Sequence, residues 1–174
     1  LLDLWECDAQ ARGFSLFGIK DLNDEGAKTF GTVLSRRGYR ALPGLPGASL
    51  PITFSSFDAY LMSLSPATRK DLRRKLRKRS AVTVEIATDI EPVLGDILEM
   101  YRETRARSDW EFEDLSGDYF REMMKAGDAR FILYRAEGQL VAANLIIEEA
   151  GVLLDKYFLM REGIGRELNL YFLS

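Results

Sequence analysis

The sequence predicts an α+β fold, a short meander of strands with helices before and after it. Three observations lead there. Residues 129–159 read as three consecutive strands joined by two tight turns, two helical stretches precede them, and a glycine-containing segment opens into a further helix. The expected sheet is a mixed central sheet flanked by helices.

Each element has its own local signal, in chain order. Leu2–Arg12 has Leu4, Trp5 and Ala9 at helical spacing and ends at Gly13. Phe14–Ile19 reads as a strand and Asp24–Arg37 as a helix stopped by Gly38. Tyr39–Leu42 and Ser49–Phe54 are short extended runs either side of the turn-rich Pro43–Gly47. Ser65 and Pro66 start a helix, Ser as cap and Pro in the first turn. Leu61, Leu64, Thr68, Leu72 and Leu76 line one narrow apolar stripe there. Ala81–Ala87 alternates like a half-buried strand, and Ile90–Arg107 carries Val93, Leu94, Ile97, Leu98 and Tyr101 at helical spacing. Ser116 or Asp118 caps a short helix through Met123 and Met124, closed by Gly127. Strands Ala129–Ala136, Gln139–Glu148 and Val152–Leu159 are separated by Glu137-Gly138 and Ala150-Gly151.

The segment after the last strand carries the most chemistry. Gly163, Ile164 and Gly165 at the mouth of a helix leave backbone amides unpaired and aimed one way, which suits a phosphate or pyrophosphate. Arg161 and Arg166 flank them and can add charge-assisted hydrogen bonds. The alternative is a strand-to-helix turn that uses glycine for its positive φ.

This order of elements resembles the core of the GNAT acyltransferase superfamily, whose members carry Gln/Arg-x-x-Gly-x-Gly/Ala in the loop that cradles the pyrophosphate of coenzyme A. Here the frame is Met160-Arg161-Glu162-Gly163-Ile164-Gly165, with Met160 in place of Gln or Arg. Residues 54–79, FSSFDAYLMSLSPATRKDLRRKLRKR, further resemble a segment of the FemAB-like proteins, including peptidoglycan-biosynthesis-related acetyltransferases. Those proteins carry two tandem GNAT-like halves with a basic helix at the junction. The resemblance implies that residues 1–54 are the C-terminal part of a first half, 55–80 a basic junction helix, and 81–174 the incomplete N-terminal part of a second.

It also implies an acyltransferase moving an acetyl, other acyl or aminoacyl group onto a small-molecule amine by direct attack. The donor would be acetyl-CoA or another acyl-CoA, with aminoacyl-tRNA as the alternative. Tyr157, Phe158, Leu159 and Met160 would offer strand-edge backbone groups to the pantetheine arm, and Arg161, Gly163, Ile164, Gly165 and Arg166 would hold pyrophosphate. No catalytic base is assigned.

Charge is unevenly placed. Residues 69–79 hold eight Lys/Arg against one acid, Asp71, leaving 16 basic and 26 acidic residues elsewhere. Arg69, Arg73 and Lys78 are candidate contacts to a nucleotide-sugar, a tRNA or an anionic membrane surface. No aromatic residue interrupts the run, which favours phosphate contact over base stacking. A solvated connecting helix is the alternative.

Three weaker features stand out. Trp110 and Phe112 lie between the two helices, where they can wall an acceptor pocket among Glu111, Glu113 and Asp114, or anchor a surface loop. Asp155 and Lys156 interrupt an apolar strand, and Asn144 interrupts another. Asn144 and Asp155 are candidate substrate contacts, with a salt-bridged core pair as the alternative for Asp155 and Lys156.

Composition excludes several classes. The chain of 174 residues is 47% hydrophobic and 29% charged, ordinary for a globular domain, and no apolar run approaches the roughly 20 residues of a membrane span. No signal-peptide pattern opens it. There is no histidine, which removes Ser-His-Asp and Cys-His pairs and His-containing zinc sites; no metal is expected. The single Cys7 excludes an intrachain disulfide, suits a reducing, cytoplasmic setting, and reads as a packed thiol beside Trp5 and Ala9. The reading from a different class is a non-catalytic GNAT-like module that docks on an anionic partner through the basic helix.

Overall fold

Residues 1–19, 22–44, 47–108 and 113–174 are described by the structure, a computed structural model. The chain separates into two units between Thr53 and Phe54. In the first unit, helix α1 spans Leu2–Ala11 and α2 spans Asp24–Arg36. Asn23 caps α2, accepting from the Gly26 amide at 2.8 Å. Arg37 donates to Asp3 and, at 3.0 Å, to Glu6, and the Tyr39 hydroxyl donates to Glu6 at 2.8 Å. The hydrogen bonds from Arg37 hold both carboxyls below their usual range.

The strand expected at Phe14–Ile19 does not form, and no described residue of this unit pairs as a strand. Phe14 and Leu16 are exposed while Phe17 packs edge-on against Tyr39, so the run is held by side-chain contact and not by a partner strand. Pro43 and Pro51, which lack an amide hydrogen, interrupt the other extended runs. Cys7 is exposed rather than packed, because α1 buries none of its residues.

The second unit starts with α3 (Phe57–Ser63) and α4 (Pro66–Lys75), capped by Ser56 and Ser65. A 3-10 turn over Leu76–Ala81 comes next. The junction expected as one helix over 55–80 is thus three pieces. Pro66 forces the residue before it out of the helical region, and Ser65 has ψ 150°. Strand β1 (Thr83–Ala87), a 3-10 turn, and helices α5 (Leu94–Ala106) and α6 (Gly117–Lys125) continue the chain. Ser116, not Asp118, caps α6. Then β2 (Ala129–Ala136), β3 (Gln139–Glu149) and β4 (Val152–Met160) lead into α7 (Glu162–Glu167) and a 3-10 turn over Leu170–Phe172.

The strands lie in the order β1-β2-β3-β4. Every pairing is antiparallel, where the sequence reading expects a mixed sheet. Two-residue turns account for the β2–β3 and β3–β4 pairings: Glu137-Gly138 and Ala150-Gly151 all have positive φ, the geometry whose twist matches a hairpin. Each hairpin also holds a bulge. Val141 is the extra residue opposite β2, and Lys156 the extra residue opposite β3.

One face of the sheet is covered by α5 and α6. Ile97, Met100, Phe120, Phe131, Leu145 and Leu159 are its fully buried centre, with ring edges of Tyr101 and Phe131 against Phe120. Among the described residues the other face is covered at one end only, where Ile164, Leu168 and Leu170 pack on Tyr134, Val141 and Ala142. None of the described helices is long and apolar enough to cross a membrane.

Candidate functional site

The site grows from the end of β4. Among the described residues this strand pairs only with β3, so its outer edge keeps free backbone groups over Tyr157–Leu159, while the Met160 carbonyl accepts from Arg107. One residue later the helix begins: Arg161 is the cap position and Glu162 already lies in α7. Gly163 and Gly165 therefore sit inside the helix rather than in a loop before it. Neither has positive φ, so neither is glycine for turn geometry.

The two glycines do different work. A Cβ on Gly163 would meet nothing within 4 Å, whereas one on Gly165 would stand 2.8 Å from the sulfur of Met160 and 3.3 Å from its Cβ. Gly165 makes room for Met160. The amides of Glu162, Gly163 and Ile164, the first turn of α7, have no partner four residues back, and no side chain caps them.

The arginines are distributed unexpectedly. Arg161 donates to Asp96 at 2.8 Å and Glu99 at 2.9 Å, and approaches Glu103 at 3.6 Å. It also donates to the Leu140 carbonyl. Its guanidinium thus faces α5, and the bond to Glu99 pushes its pKa up. Arg166 pairs with Glu162 at 2.9 Å, and Arg107, which the sequence reading passed over, lies 3.9 Å from the same carboxylate and donates to the Met160 carbonyl. A carboxylate bracketed by two guanidiniums therefore stands at the start of α7. Only the tertiary structure brings Arg107 there, from 53 residues away.

The remaining residues of β4 point to both faces. Tyr157 packs against Tyr101 and Tyr119, and its hydroxyl donates to Glu113. Burial, then the Glu113 bond, pushes its pKa well above the usual tyrosine value. Leu159 is core, Phe158 meets Tyr134 and Tyr171 edge to face, and Ile164 packs under the sheet. Trp110, Phe112 and Glu111 lie outside the described residues. Asp114 of the same connection pairs with Arg105 at 3.3 Å.

Asn144 is buried, and its Nδ2 donates to Asp155 at 2.9 Å while its Oδ1 is buried without a partner. Asp155 is exposed and Lys156 is the bulge residue, so the two do not form a buried pair facing each other across the core. Tyr134 lies on the same sheet face as Asn144. Its pKa is pushed up to about 12, by burial first and then by the charge of Asp155.

Arg69, Lys70, Arg73 and Arg74 of α4, with Arg77 of the 3-10 turn after it, line an open hollow of about 300 Å³. Arg69 is tied to Met62, and Arg74 to Asp71 at 2.6 Å. Lys78 lies apart, donating to the Glu167 carbonyl at 2.8 Å. Among the described residues no group of three acidic or cysteine side chains is arranged to hold a metal ion.

The antiparallel sheet thus ends in a strand whose outer edge leads directly into an uncapped helix. The family model of the acetyltransferase (GNAT) domain matches residues 66–161, more than half of the chain, and the chain belongs to that family. It is also similar to the putative 8-amino-7-oxononanoate synthase 2 of Mycobacterium tuberculosis, in strains CDC 1551 / Oshkosh and ATCC 25618 / H37Rv. Each is 25% identical over 164 residues, covering 91% of this chain. The chain spans about a fifth of the length of these curated relatives.

Proposed function

We propose that the domain transfers an acyl group from acyl-CoA to an amine. The observation that carries this reading is the continuity of the free edge of β4 with the uncapped start of α7. A pantetheine arm is itself a chain of amides and can pair with a strand edge. Its pyrophosphate suits the three free amides of α7 and the open space at Gly163. Arg107 and Arg166 supply charge once the ligand displaces Glu162 from them.

Direct attack needs little more from the protein. The neutral amine attacks the thioester carbonyl, a C–N bond forms, the C–S bond breaks, and the thiolate leaves. The proton released from nitrogen passes to solvent or to a base. Holding both reactants in line supplies much of the rate. The FemAB-like pattern of residues 54–79 supports placing the domain in that subgroup, with aminoacyl-tRNA as the competing donor and a cytoplasmic setting. The open row of cations on α4 supports a phosphate-bearing partner at Arg69 and Arg73.

Titration with acetyl-CoA tests the donor assignment. Binding to the folded state raises the melting temperature by mass action. Glu162→Gln, which frees Arg107 and Arg166, should raise affinity, and Gly163→Val should lower it with the unliganded melting temperature unchanged. No shift at millimolar acetyl-CoA removes the acyl-CoA reading and leaves aminoacyl-tRNA.

A further inference from the structure

Arg130, Ile146 and Asp155 stand in register across β2, β3 and β4, on the sheet face opposite α5 and α6. The floor around them is open and apolar. Ile86 and Leu153 are 62% and 58% exposed, and Ile132 and Ile146 are half-buried. Among the described residues no carboxylate lies within ion-pair distance of the exposed Arg130.

Asp155 is held in place from the neighbouring strand. Asn144, 2% exposed, donates its Nδ2 to one oxygen of Asp155 and leaves its own Oδ1 unsatisfied. The opposite amide orientation would set a carbonyl against a carboxylate, so electrostatics fixes this one. An unmatched buried acceptor costs stability, and leucine would be the better residue for packing alone. Protection of an edge strand accounts for the charges and the bulge at Asp155 and Lys156. It does not account for a buried asparagine on β3, which pairs on both sides. Holding Asp155 does.

We propose that Asp155, positioned by Asn144, receives the ammonium group of the acceptor, which gives up one proton to solvent before the neutral amine attacks, and that Arg130 receives a carboxylate at the other end of the same molecule. The aliphatic chain between them lies over Ile146. The two charged strands are two sheet spacings apart, roughly 9–10 Å, which calls for an extended amino acid with its amine and carboxylate at opposite ends. This deepens the acyltransferase reading by naming its acceptor class, and Asp155 lies on β4 itself, five residues and so roughly 16 Å of strand before Met160.

The side-chain amide of Asn144 reports on the site directly in nitrogen-15 spectra of the full chain. The probe is 6-aminohexanoate, with pentylammonium and hexanoate as one-ended controls at matched ionic strength. The expected result is a shift of the Asn144 amide signals at a concentration about fivefold lower for 6-aminohexanoate than for either control. Asp155→Asn should abolish the response to both amines, and Arg130→Gln should reduce 6-aminohexanoate to the level of pentylammonium. Both positions are exposed, so the fold should hold, and far-ultraviolet circular dichroism checks it. Equal responses to all three probes, or a response that survives Asp155→Asn, overturn the proposal. The donor is absent from this titration. Failure here with acetyl-CoA binding intact removes the acceptor assignment alone, whereas binding here without acetyl-CoA binding upholds the site and removes acyl-CoA as the donor.

Discussion

The sulfur of Met160 lies 2.8 Å from the place a Cβ on Gly165 would take. The last residue of β4 and the fourth residue of α7 are thereby locked together, and strand and helix meet through a single intervening residue, Arg161. Gly165→Ala should destabilise the domain by about 1–3 kcal/mol, the usual cost of overpacking. Met160→Ala should remove most of that cost in the double variant. Urea unfolding of the four proteins measures the coupling, and additive effects would mean that the contact does not constrain the junction.

Arg161 should behave as a structural residue. Arg161→Lys keeps one charge but loses the fork that spans Asp96 and Glu99, at an expected cost of about 1–2 kcal/mol, since the pairs are partly solvated. Affinity for acetyl-CoA should fall no further than the loss of stability explains. A selective, large loss of affinity would instead place this guanidinium on the donor.

The cations of α4 and of the 3-10 turn after it make a salt-dependent prediction. Replacing Lys70, Arg73 and Arg77 by Gln should flatten the dependence of RNA-oligonucleotide binding on salt, by about 2 in the log–log slope if each neutralises one phosphate. Lys78→Gln is the control, because its Nζ already serves the Glu167 carbonyl. Parallel salt slopes for the triple variant and the unaltered chain would leave the row a solvated surface, to be tested next against anionic vesicles.

Tyr134 sets an alkaline limit. Its pKa is raised from 10.0 to about 12 in the folded state, so the folded protein binds its proton more tightly than the unfolded chain does. The stability linked to it is fully present below pH 10 and is lost as pH rises from 10 through 12. Melting temperature should fall across that window, and less steeply in Tyr134→Phe. Identical pH profiles would assign the alkaline loss to other groups, Tyr157 first among them.

Local signals were the legible ones. Turn pairs with a residue that tolerates positive φ placed both hairpins to the residue, and Ser65 and Ser116 were readable as helix starts because capping acts over three residues. The expected strand at Phe14–Ile19 failed for the converse reason: a strand needs a partner edge, and alternation in one segment says nothing of whether that edge exists. The connection bearing Trp110 and Phe112 lies outside the described residues, and its expected acceptor wall rests on sequence alone.

The order of elements from β1 onward, the hairpin geometry, the cluster of cations at 69–79 and the glycine spacing after β4 could be read along the chain, all of them properties of neighbouring residues. Only the tertiary structure decided what each charged side chain faces. It turned Arg161 toward the acids of α5, carried Arg107 to the start of α7, gave Gly165 the task of admitting Met160, and set Asn144 behind Asp155. The physical reason is range. Caps and turns are satisfied within a few residues, whereas ion pairs, bulge register and packing depend on which distant segments the buried sheet brings side by side.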